Sequence, residues 1–164
     1  MDTDRLNRWL ALGANIGVLI GIILLVVELD QNRDMMRAQT QTEITAMNVA
    51  HSDVVAADAE LADILRRARF GQELTPSDGV RYLYHASGTL EIWQHMYYQY
   101  EIGLFDQEEF AAQTRGFEML ATGSAGFRRI WCQFRPSSSE GFRGYLDEVY
   151  TELNCDEIDT GIGQ

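Results

Sequence analysis

The most continuous apolar run in the chain is Leu10 to Val27 (LALGANIGVLIGIILLVV), which carries no charge in 18 positions. Wound as a helix it spans about 27 Å, close to the hydrocarbon thickness of a bilayer. Arg5, Arg8 and Trp9 precede it as interfacial residues would, and Glu28 and Asp30 close it abruptly. A cleaved leader would show a shorter run and a small-x-small site, and the run has neither feature. The expected element is a transmembrane helix.

Beyond the run the pattern turns polar but keeps a helical period. Neither glycine nor proline occurs between Gly21 and Gly71, so the helix is expected to continue past the bilayer, with a thin apolar stripe of Met36, Ile44, Met47 and Val54 or Val55. A second helix is expected from Asp58 to Ala68, with Leu61, Ile64 and Leu65 inward and Gly71 as its breaker. Thr75-Pro76 and Asp78 form a helix start. The helix they open places Val80, Leu83, Leu90, Trp93, Tyr97, Tyr100 and Leu104 on one stripe.

Asp106 caps a further helix carrying Phe110, Thr114, Phe117 and Leu120, ended by Gly123. Ser124 opens a short helix with Phe127, Ile130, Trp131 and Phe134, and Pro136 lies past its end. The last helix, after Ser139, aligns Phe142, Tyr145, Leu146, Val149 and Leu153. No alternating strand pattern and no internal repeat is present. The expected fold is all-α, a transmembrane helix continuing into an irregular helical bundle. Its parts are an anchor over 1–30, a membrane-proximal helix over 31–57, a helical domain over 58–154 and an acidic, frayed tail over 155–164.

Charge narrows the functional classes. Asp and Glu number 25 against 13 basic residues, a net charge of −12, which is the wrong sign for binding nucleic acid. All the basic residues are arginine, which removes lysine chemistry. The clusters Arg66-Arg67-Arg69 and Arg128-Arg129 are expected to lie on helix faces bridged to carboxylates. Cys132 and Cys155 lack ligand spacing, and their separation neither requires nor excludes a disulfide.

His51, His85 and His95 are the three histidines; with no Glu-x-x-His pairing they suggest hydrogen-bonded or surface residues, with no metal and no cofactor. No hydrolase, phosphate-loop or dinucleotide pattern occurs, so no catalytic residue is assigned and no enzyme is expected.

Three groups suggest interaction instead. Gly13, Gly17 and Gly21 lie on one slowly drifting stripe of the anchor, which permits close helix packing, with Asn15 on the opposite face. Gln31, Asn32, Arg33, Arg37 and Gln39 form a polar girdle outside the membrane, suited to lipid head groups or a protein partner. Trp93, Tyr97, Tyr98 and Tyr100 are dense enough to wall a ligand groove, although core is the commoner use and Tyr98 lies off the stripe.

Glu28-Leu29-Asp30-Gln31-Asn32-Arg33 followed by Arg37-Ala38-Gln39-Thr40 resembles a segment of a widespread family of uncharacterised bacterial single-pass membrane proteins. Trp93 with Tyr97-Tyr98-Gln99-Tyr100, Gly103-Leu104-Phe105-Asp106, Arg128-Arg129-Ile130-Trp131 and Phe142-Arg143-Gly144-Tyr145 are later echoes. Asp30 departs from the arginine more usual there. The resemblance implies a fold and a bacterial inner-membrane location, and no activity. Arg5 and Arg8 nearly balance Arg33 and Arg37 across the anchor, and a cytoplasmic C-terminal domain is expected because so short an N-terminal tail translocates easily. The function expected is that of a non-enzymatic accessory or scaffold subunit of a larger membrane complex, energy-transducing ones (respiratory or photosynthetic) included, in contact with lipid and with a membrane partner or a second copy. The alternative is a membrane-tethered sensor with an aromatic ligand pocket.

Overall fold

The computed structural model describes residues 3–150 and 153–158. Six α-helices make up nearly all of it: α1 (Thr3–Ala56), α2 (Ala59–Arg69), α3 (Pro76–Glu101), α4 (Gln107–Gly123), α5 (Ala125–Phe134) and α6 (Glu140–Val149). Two single 3-10 turns, Arg135–Ser137 and Cys155–Glu157, follow α5 and α6. No strand occurs among the described residues, and the fold is all-α. Of the tail over 155–164, positions 159–164 lie outside the described residues, as do positions 1–2 of the anchor.

The helix starts follow from local side chains. Asp58 accepts from the Leu61 amide at 2.9 Å, Thr75 from Asp78 at 3.2 Å and Asp106 from Glu108 at 2.8 Å. Ser124 accepts from Phe127 at 3.2 Å and Ser139 from Phe142 at 3.4 Å. Each satisfies an amide that the first turn leaves orphaned, a contribution of about 1 kcal/mol. Gly71 (φ 66°) and Gly103 (φ 74°) take the left-handed conformation that turns the chain out of α2 and α3.

The chain divides into two compact units between Gln39 and Thr40. In the first, α1 contains an 18-residue stretch of mean hydropathy 2.7 with none of its residues buried. By length and composition this helix is able to cross a membrane.

The second unit holds the core. Ile64, Leu90, Trp93, Phe127, Trp131, Phe142 and Leu146 form its centre, drawn from α2, α3, α5 and α6. A smaller cluster joins Ile44 to Ile92, Met96, Phe105 and Phe110. The α2–α5 contact is close because residue 126 is glycine: a Cβ there would lie 2.8 Å from the Ala68 carbonyl oxygen and 2.8 Å from the Tyr82 hydroxyl. Outside the core, Arg81 bridges Asp58 and Glu60, and Arg67 bridges Asp63 and Asp78, tying α2 to α3 at the surface. The Arg66-Arg67 cluster is therefore a salt-bridged face.

Four expectations differ from the structure. The inward face of α1 runs through Thr40, Ile44, Asn48, His51 and Val55, whereas Met36, Met47 and Val54 point outward. Residues 40, 44, 48, 51 and 55 share one face at helical spacing, and that face meets α3 with polar as well as apolar side chains. Residues 40–56 therefore belong to the helical unit, which begins well before position 58. On α3, Val80 is exposed, and the buried arc is carried by Tyr82, Ala86, Leu90, Trp93 and Met96. The start of the tail is tied down: Cys155 is disulfide-bonded to Cys132 on α5.

Candidate functional site

The three interaction groups have different surroundings. Apart from its chain neighbours and the helix's own backbone, a Cβ placed on Gly13, Gly17 or Gly21 would meet no atom of the described residues within 4 Å, so the stripe is open. Asn15 is exposed on the same helix. In the polar girdle Gln31, Asn32, Arg33 and Gln39 are exposed and Arg37 is half-buried; Arg37 and Gln39 are already engaged within the chain.

The aromatic group is packed. Trp93 has no exposed surface and stacks on Phe117 at 5.3 Å, with Phe142 and Tyr145 edge-on at 6.0 and 5.9 Å. Tyr97 stacks on Tyr145, and Tyr100 lies parallel to Phe110 at 4.6 Å. Tyr98 alone of the four is exposed. A side chain with no accessible surface cannot wall an open groove, so the rings serve each other rather than a ligand at Trp93.

A different site emerges where α1 meets α3. The His51 and His85 rings stack 4.1 Å apart and nearly parallel, with an interplanar angle of 8°. Thr89 donates its hydroxyl proton to the His85 carbonyl at 3.2 Å. Its oxygen also lies 2.9 Å from His51 Nε2, so one hydroxyl ties the His51 ring to the α3 backbone. Gly88 makes room for the pair, since a Cβ there would come within 3.3 Å of the His51 ring. Burial, and then the nearby His51, push the His85 pKa down to about 4, and burial lowers His51 as well. Two parallel rings direct their nitrogen lone pairs side by side rather than toward one point. No group of three metal-binding side chains forms among the described residues.

His85 also lines a cleft of about 330 Å³ bounded by α2, α3 and the α4–α5 junction. Leu65, Ala86, Leu120 and Phe127 make its apolar floor, with Tyr82, Thr89 and Ser124 supplying hydroxyls. Arg66, Arg69 and the exposed ring of Phe70 stand at its mouth. Arg66 is occupied by Asp63, through Nε at 3.1 Å and Nη2 at 2.7 Å. Arg69 reaches over the end of α4, its Nη2 3.9 Å from where a Gly123 Cβ would be. Neither the histidine pair nor this cleft is singled out by sequence spacing. The histidines are 34 positions apart on different helices, and only the packing of those helices brings them together.

The stacked pair makes the domain acid-sensitive. An unfolded histidine titrates near 6.5, while folded His85 accepts a proton only near 4. Between those values the unfolded chain binds more protons, so stability is full above about pH 6.5 and falls as pH drops toward 4. With the discount that a half-exposed site requires, the expected loss is on the order of 1–2 kcal/mol. Thermal melts at pH 7.5 and 5 should show it, and His85→Gln should flatten the difference. Asp58, held below the usual carboxylate range first by the Leu61 amide, and Asp63 and Asp78, held there first by hydrogen bonds from Arg66 and Arg67, add their own acid sensitivity only at lower pH.

Compared with known proteins, the chain matches no family model, no curated protein and no solved structure.

Proposed function

We propose that this chain is a non-enzymatic accessory subunit of a larger bacterial membrane assembly, anchored by one helix that packs laterally against a partner. The observation that carries this reading is the open glycine stripe on an uncovered apolar helix. Lipid alone can solvate leucine and isoleucine, but three glycines in register give a second backbone room to approach. The polar residues after the apolar run offer a docking surface at the membrane face, and the exposed Val80, Tyr84, Tyr98, Ile102 and Met119 offer apolar contacts on the helical unit.

The side on which the helical unit lies turns on the disulfide. Flanking arginines are nearly balanced, so charge alone gives a weak preference for the cytoplasm. A Cys132–Cys155 bond persists where the environment is oxidising and is reduced in cytosol. The disulfide therefore supports the opposite topology, with the amino terminus in the cytoplasm and the helical unit outside it, at the inner membrane. A ligand-binding role centred on Trp93, Tyr97, Tyr98 and Tyr100 has less support, because Trp93 is sealed in the core.

Gly17→Leu tests the packing face. It places a bulky side chain at the centre of the stripe while keeping the helix as apolar as before. Crosslinking to neighbours in native membranes, or copurification in mild detergent, should fall several-fold while membrane retention in alkaline carbonate is unchanged. Val18→Leu, on another face, should change neither. Equal recovery of partners with Gly17→Leu would reduce the helix to a tether.

A further inference from the structure

We propose that the cleft between α2, α3 and the α4–α5 junction binds a small amphiphilic monocarboxylate, its carboxylate at Arg69 and its apolar body on Leu65, Ala86, Leu120 and Phe127. The volume of about 330 Å³ falls within the range of small-molecule sites. At about 30 Å³ per water-sized group, it holds a ligand of roughly ten such groups.

Charge decides the class. The chain carries a net −12, yet this concavity has two arginines at its mouth. Arg66 is neutralised by its two bonds to Asp63, so among the described residues Arg69 supplies one uncompensated positive charge beside the opening. A single guanidinium matches a monoanion, and its planar fork suits a carboxylate. A phosphate dianion would need more donors and would leave the apolar floor unused.

The walls fit the rest of such a molecule. Phe127 and Ala86 are almost fully buried beneath the cleft, so their contact surface is fixed by the core. Phe70 is 69% exposed at the rim, a flat ring placed to cover an apolar body once it has entered. His85, kept neutral by its surroundings, offers an imidazole without adding a second charge. The cleft lies wholly within residues 65–127 of the helical unit, so its occupancy does not depend on whether the membrane helix meets a partner.

The test uses the full chain in phosphatidylcholine nanodiscs, titrated calorimetrically with 3-phenylpropanoate against empty discs. Its amine and alcohol counterparts, 3-phenylpropylamine and 3-phenylpropan-1-ol, are titrated in parallel. A dissociation constant on the order of 100 µM is expected for the acid. The alcohol should bind about tenfold more weakly, and the amine should not bind. Arg69→Ala should weaken the acid about tenfold or more, and Arg69→Lys should restore part of the loss. Arg135→Ala, whose guanidinium pairs with Asp147 elsewhere, should leave binding unchanged. Acid and amine binding alike, no heat from the acid at millimolar concentration, or full affinity in Arg69→Ala would each overturn the proposal. The charge series on the unaltered chain decides the matter even if a variant folds poorly.

Discussion

Trp93→Ala should cost the helical unit about 3–5 kcal/mol. The indole is fully buried and sits among Phe117, Phe142 and Tyr145, rings contributed by α4 and α6. Removing it opens a cavity that three aromatic neighbours on two other helices cannot close together, and the edge-on and stacked ring contacts are lost with it. Domains of this size are stable by about 5–15 kcal/mol, so the variant should approach the edge of folding. In mild detergent the thermal midpoint, followed by circular dichroism, should fall by roughly 10 °C or more. Tyr98→Ala, five residues further along α3 but exposed, should stay within about 0.5 kcal/mol of the parent. A small effect at Trp93 would mean that the aromatic group is loosely packed, and the case for a ligand groove there would reopen.

Helix starts and stops were legible in the sequence because they are local. Thr75, Asp106 and Ser124 each cap the helix they were expected to open, and Asp58 and Ser139 are the caps of the helices expected from Asp58 and after Ser139, since a capping side chain needs only the next three residues to act. The uncharged run from Leu10 to Val27 was equally plain as a helix able to cross a bilayer, because that ability rests on length and composition alone. Faces were harder to read. The apolar pattern after the uncharged run favours Met36, Ile44, Met47 and Val54 or Val55; Ile44 is buried and Val55 half-buried as expected, but Met36, Met47 and Val54 are exposed, and Thr40 and His51 join the inward face instead. Burial of a threonine or a histidine depends on what α3 presents opposite it, here Thr89, Gly88 and His85. That pairing is a property of two helices and cannot be found in either. The same limit hid the cleft, whose lining comes from four helices and the Ser124 junction.

Breaking the Cys132–Cys155 bond should be the second large loss, about 3 kcal/mol. The cross-link closes a loop across 23 positions, and the loop-closure entropy it removes from the unfolded chain sets that magnitude. In the folded state it holds the turn Cys155–Glu157 against α5, keeping Leu153 and Cys155 packed on the core. The double variant Cys132→Ser, Cys155→Ser should therefore melt roughly 10 °C lower than the oxidised parent. Reductant should lower the parent to the same midpoint and leave the variant unmoved. The same pair of thiols reports topology, because a helical unit outside the cytoplasm meets an oxidising compartment. Protein taken from native membranes under acid quench should thus show no thiol able to react with a maleimide until it is reduced. If both cysteines react without reductant while the oxidised protein still gains its 3 kcal/mol in vitro (again about that figure), the bond is sound but the helical unit faces the cytoplasm. In that case the orientation proposed from the disulfide would be inverted, and the weak preference from the flanking arginines would stand.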